Sequence, residues 1–293
     1  MAVTEEGRKS FFKKIRGQDT DEAEMSFIDH LEALRWHVIR SLLAVLIAAI
    51  GFFLFIDWIF DNVIMGPTRN DFISYRALCS ISHRLGMGES LCMPPMELNL
   101  QVTSVSGTFM SSITIAFVGG IIVAIPYILY EIWLFVKPAL KPEELKHTRG
   151  VIFWISIFFF TGAAFGYFLL APFTFNFLAN YKIGTAGILL YRPMLSDYLD
   201  SLIDITLGAG LAFELPMASW VLSKMGLITP GFLRTYRKYA YVALLVIAAI
   251  ITPSPDWGSQ LIVVVPLVML YELSILISAR VNKAEQKKWE EWQ

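Results

Sequence analysis

The chain has 293 residues, of which 56% are hydrophobic, 14% aromatic and only 17% charged, with a mean hydropathy of +0.57. Soluble domains are roughly 45–50% apolar and 25% charged, so both deviations point to an integral membrane protein. A net charge of −1 offers no electrostatic footprint for nucleic acid. No His/Cys set has metal-ligand spacing, and HExxH, GxSxG, P-loop and GxGxxG motifs are absent; neither an enzyme nor a bound cofactor is expected.

Residues 1–25 read as a cytoplasmic N-terminal tail carrying Arg8, Lys9, Lys13, Lys14 and Arg16. No short apolar core with a cleavage site follows them, so the first apolar run reads as a retained helix and not as a signal peptide. Next, "SFIDHLEALRWHV" (26–38) reads as a helix start, with Ser26 as N-cap and Asp29 three residues on. Phe27, Leu31, Leu34 and Val38 share one face, and Asp29, Glu32 and Arg35 turn toward water or headgroups. By spacing alone this is an interfacial anchor.

A membrane domain over 26–278 follows, with apolar runs at about 38–60, 108–130, 151–171, 201–222, 239–251 and 260–278. A straight span needs about 20 residues, which the first four supply and the last two do not. The final pair, joined by "TPSPDWGS" (252–259), reads as a hairpin that thins the bilayer locally or as a re-entrant pair. Pro126, Pro216 and Pro266 lie inside runs and Pro172 ends one, so kinked helices are expected. Residues 279–293 form a C-terminal tail.

Of the 24 Lys and Arg residues, only Arg69, Arg76, Arg84, Lys182 and Arg192 fall in the odd-numbered connections. The other 19 lie in the N-terminal region through Arg40, the even-numbered connections and the C-terminal tail, which places both termini in the cytoplasm. Trp36, Trp58, Trp133 and Trp257 sit at run ends, where an indole favours the headgroup layer. Glu214, in "LGAGLAFELPMASW" (207–220), is the exception to this apolar logic. A charge at the bilayer centre costs about 2.5–3.5 kcal/mol on insertion scales, so the carboxyl must be neutral, wetted or paired.

Several stretches together resemble one family, TatC, the core subunit of the twin-arginine protein translocase. They are "HLEALR" (30–35), "YEIWLFVKPAL" (130–140) with "KPEE" (141–144), "GYFLLAPFTFNFLAN" (166–180), "FELP" (213–216), "MGLITPGFLRTYRKY" (225–239) and "TPSPDWGSQ" (252–260). The resemblance implies an all-α integral membrane protein of six transmembrane helices, kinked into a cupped, glove-like bundle with the last two helices short. It implies a receptor for twin-arginine signal peptides in the bacterial inner membrane, which exports folded proteins using the proton-motive force. The implied partners are single-span subunits of the TatA/TatB type, signal peptides of folded cargo, the lipid bilayer and further copies of the chain.

By position, the resemblance puts Glu144, Glu32, Arg35, Phe135, Pro138 and Leu140 on the signal-binding surface. It puts Glu214, Asp256 and Gln260 on polar partner-facing sites, and Pro67 and Phe109 in structural roles around the first outer loop. A diarginine motif wants carboxylates, because the guanidinium fork matches them in charge and geometry. Pro142 followed by Glu143 and Glu144 is also ordinary helix-start chemistry, and spacing does not separate the two readings. One departure stands out: where the family has a glutamate, this chain has Ala33, with Glu32 about 100° around the helix. The first outer loop, roughly 61–107, is also long for the family. It holds both cysteines, and an oxidising periplasm predicts a disulfide between Cys79 and Cys92, against which a metal site with His83 is the minor alternative. A proton-coupled carrier of a small solute is the rival function, since Glu131, Asp204, Glu214 and Glu272 lie in or near the runs.

Overall fold

The computed structural model describes residues 27–84, 86, 88, 89, 92, 98–136, 150–181, 192–252 and 257–291. Within them the helices are α1 (Phe27–Leu54), α2 (Ile56–Ile59), α3 (Ile73–Arg84), α4 (Gly107–Val136), α5 (Val151–Phe165) and α6 (Ala171–Asn180). The remainder are α7 (Leu195–Ala212), α8 (Leu215–Lys224), α9 (Pro230–Thr235), α10 (Arg237–Ile251) and α11 (Trp257–Glu291). The Ser26 cap, the tail before it and the 252–256 turn beyond Thr252 lie outside the described residues.

Among the described residues, five segments are apolar and long enough to cross a bilayer: Leu34–Leu54, Gly107–Phe135, Val151–Asn180, Leu195–Lys224 and Gln260–Ala284. The sixth apolar helix, α10, has 15 residues. At 1.5 Å per residue it reaches about 22 Å against a hydrocarbon core of about 30 Å. The last run differs from its expected short span. It belongs to the 35-residue α11, because the polar "SARVNKAEQKKWEE" that follows 278 keeps good helix formers and contains no Gly or Pro.

Pro172 does not end its run either. A π-turn over Gly166–Leu170 widens the helix just ahead of it, and Pro172 then sits in the first turn of α6, where its missing N–H has no partner to lose. Pro216 acts differently. It opens α8 after a break at Phe213–Glu214, and the Glu214 carbonyl accepts the Ala218 N–H at 2.8 Å. Pro126 and Pro266 remain inside unbroken α4 and α11.

The core lies where α6, α7, α10 and α11 meet, around Phe175, Leu199, Leu202, Ile205, Ala248, Val263 and Leu267. In the first connection, Tyr167 and Tyr198 donate to the carbonyls of Val63 (2.6 Å) and Ile64 (2.5 Å). That ties the chain end after α2 to the third and fourth spans. A single bridge, with Gln101 N–H to Pro193 O (3.1 Å) and Leu195 N–H to Gln101 O (3.0 Å), joins the two connections at this end of the bundle. The opposite end carries the N-terminus of α1 and the C-terminus of α4.

α1 and α4 run side by side, and their backbones nearly touch. A Cβ on Gly120 would lie 2.7 Å from the Ala49 nitrogen and 2.9 Å from its Cα, a separation only glycine permits. Outward, Leu42, Ile47, Ile50 and Leu54 of α1 are exposed, Ile47 at 71%, the pattern of a helix with one face left for lipid. Trp36 and Trp58 are exposed as a headgroup position requires, but Trp133 is buried at 7%. It packs with Val151, Ile155 and Trp220, so its place at a run end reflects core packing and not the interface.

Candidate functional site

Close packing of α1 on α4 brings Arg35 and Glu32, both exposed, to the same end of the bundle as the half-buried Phe135. Between them lies a contact that spans 94 residues of sequence: His37 Nδ1 is 2.5 Å from Glu131 Oε2. The Glu131 side chain is 3% exposed and the His37 side chain 19%. Tyr127 stands one turn before Glu131 on α4, and the His37 ring meets Phe135 edge-on at 6.3 Å. Since Phe135 follows Glu131 by four residues, both project from one face of α4 toward α1. Pro138, Leu140 and Glu144 lie outside the described residues.

Glu214 occupies the break between α7 and α8. Its Oε1, like Thr206 Oγ1, is buried with no hydrogen-bond partner among the described residues. Other hydroxyls in the spans behave differently. Ser112, Thr114, Ser156, Ser201 and Ser274 each bond to the carbonyl four residues back, at 2.7–3.0 Å. A buried oxygen left unmatched costs about 1–3 kcal/mol. Next to Thr206 is an apolar cavity of about 310 Å³, with Phe52, Ile115, Phe160, Tyr167 and Leu202 in its wall.

A second polar group joins α10 to α11. Glu272 accepts from Arg237 Nη2 (2.8 Å) and from the Tyr241 hydroxyl (2.6 Å). Beside it, Tyr271 donates to the Leu233 carbonyl at 2.8 Å. Gln260 is half-buried, its Nε2 3.4 Å from the Leu245 carbonyl, while Asp256 lies outside the described residues.

At the other end, Pro67 is fully buried and its carbonyl accepts the Tyr75 hydroxyl at 2.8 Å. Burial pushes that hydroxyl's pKa up to about 12. Phe109 is 58% exposed at the start of α4. Arg69 donates twice to Asp71, both at 3.1 Å, which holds the Asp71 carboxyl below its usual range. Cys79 and Cys92 are joined as a disulfide with Cα atoms 4.4 Å apart. They and His83 are the one cluster of metal-ligand residues among the described residues, and bonded sulfurs are no longer thiolates able to ligate.

Sequence reasoning weighed Glu131 only as a carrier carboxylate and did not single out His37 or Thr206. An ionisable residue inside an apolar run was a legible flag for Glu131; its partner 94 residues away was not.

The family model described as Sec-independent protein translocase protein (TatC) matches residues 29–266. The protein called Sec-independent protein translocase protein TatC in Blattabacterium is 38% identical over 268 residues, covering 90% of this chain and 98% of that one. Its namesake in Carboxydothermus hydrogenoformans is 32% identical, covering 90% and 97%. A crystal structure of the twin arginine translocase receptor TatC superposes with a TM-score of 0.64 at 30% identity, covering 86% of this chain and 99% of that one.

Proposed function

The chain belongs to the TatC family of Sec-independent protein translocases, and from that premise we propose that it is the signal-peptide receptor and scaffold of a twin-arginine translocase. It is a multi-pass membrane protein. In this reading it sits in the bacterial inner membrane with both termini cytoplasmic, and it passes folded proteins outward at the expense of the proton-motive force. It works with single-span subunits of the TatA/TatB type and with further copies of itself.

The observation that carries the reading is the meeting of Arg35, Glu32 and Phe135 at one end of the α1–α4 pair, the end toward which Lys and Arg are concentrated. Phe135, Pro138 and Leu140 offer apolar contact to a signal peptide. Glu144 offers the carboxylate that a guanidinium engages through two parallel hydrogen bonds. Glu32 and Arg35 bound the same surface from α1. Glu214, Asp256 and Gln260 are assigned to partner helices. For Glu214 the support is its unmatched oxygen, which a partner's donor would satisfy.

Photocrosslinking from positions 33 and 144 tests the assignment. A twin-arginine signal peptide should crosslink at both positions, and its twin-lysine version far less. Equal crosslinking by both peptides, or by neither, would remove the receptor role.

A further inference from the structure

At the end of the bundle where α1 meets α4, one carboxylate is both buried and capped by a side chain that water can reach. Glu131 is 3% exposed and His37, in front of it, 19%. The cap leans on Phe135 at 6.3 Å, a residue already assigned to signal contact. One turn before His37 on the same face of α1 stands Ala33, so the first carboxylate along that row is Asp29, two turns from His37. Glu32, the adjacent carboxylate, is exposed and points about 100° away. Glu131 is therefore the carboxylate that faces His37 across this seam.

Resting on the receptor reading above, we propose that Glu131 is a direct contact for the twin-arginine motif: a guanidinium of the signal peptide displaces His37 and takes its place on the carboxylate. The exchange is favourable in charge and in shape. An imidazole offers this carboxylate a single N–H. A guanidinium is always charged and offers a planar pair of donors that match both carboxylate oxygens. Tyr127, one turn before Glu131 on α4, can stay beside the carboxylate while the exchange occurs, because a carboxylate has about four acceptor sites. The buried carboxylate is never left bare, since one N–H donor replaces another. His37 then acts as a placeholder that keeps Glu131 satisfied in the empty receptor, and the displaced ring moves against Phe135 and the peptide.

A strut and a binding site respond oppositely to loss of His37, and that difference is the test. Affinity of the detergent-solubilised full chain for a fluorescent twin-arginine signal peptide is measured for wild type, Glu131→Gln, His37→Gln and Ala33→Glu/Glu131→Gln. The site predicts about tenfold weaker binding for Glu131→Gln, equal or tighter binding for His37→Gln, and recovery of most of the loss in the double variant, where a carboxylate returns one turn away. A loss in His37→Gln as large as in Glu131→Gln, without recovery in the double variant, overturns the proposal and leaves a strut. Should Glu131→Gln not accumulate, His37→Gln decides alone, weaker binding counting against. A wild-type chain that binds no twin-arginine peptide would sink the receptor reading itself. Tight wild-type binding that ignores Glu131→Gln sinks only this inference.

Discussion

Replacing Glu214 with leucine should make the protein more stable and less active. Its Oε1 is buried without a partner among the described residues, whereas hydroxyls such as Ser112, Thr114 and Ser156 bond back to their own helix. An unmatched buried oxygen costs about 1–3 kcal/mol, so Glu214→Leu should gain roughly that amount, and Glu214→Gln less, because an amide still carries a polar oxygen. Steric or denaturant unfolding in detergent micelles measures the first quantity, and export of a folded twin-arginine reporter in cells measures the second. If the carboxylate serves a partner helix, Leu gains stability while export and crosslinking from 214 to single-span subunits fall, and Gln keeps much of both. A Leu variant destabilised by about 1 kcal/mol or more, with export falling only in step with the folded fraction, would refute the reasoning. The carboxylate would then be holding the bundle together.

Glu144→Ala should weaken binding of a twin-arginine peptide more than Glu32→Ala, since only Glu144 keeps the family position; equal losses in a peptide titration would make Glu32 an equal partner. Gly120→Val forces branched carbons against the Ala49 backbone, which cannot yield as a side chain can, and should cost about 1–3 kcal/mol in the same unfolding assay. Ser223 donates to Ser278 at 2.7 Å with both side chains buried. Ser278→Ala should therefore cost about 1 kcal/mol, and the Ser223→Ala/Ser278→Ala pair less than either single change. Reducing Cys79–Cys92, which closes a separation of 13 residues, should remove about 3 kcal/mol from the first outer loop by loop entropy. That should expose the loop to protease while the bundle's unfolding midpoint stays fixed.

The membrane class, the positions of the apolar runs and the shortness of α10 were legible because each depends on local composition and length alone. Proline effects were legible only halfway. A missing N–H at 172 predicts trouble for the helix, but whether it ends or widens depends on the turn before it, and Gly166–Leu170 resolves it as a π-turn. Trp133 was misplaced for a related reason. An indole at a run end can serve headgroups or a core, and only the approach of α5 and α8 decides between them. Glu214 was legible as an exception because a carboxyl inside an apolar run is costly wherever its helix packs. His37 carried no such mark, because its meaning lies entirely in the α1–α4 packing that Gly120 permits.

The receptor reading rests on discrimination between two cations that differ in shape more than in charge. Affinity of the purified full chain in lipid nanodiscs for a twin-arginine signal peptide and for its twin-lysine version measures that discrimination directly. A carboxylate site that uses the guanidinium fork predicts at least about a tenfold preference for arginine, lost in Glu144→Gln. Equal affinity for the two peptides, or a preference untouched by Glu144→Gln, would contradict it.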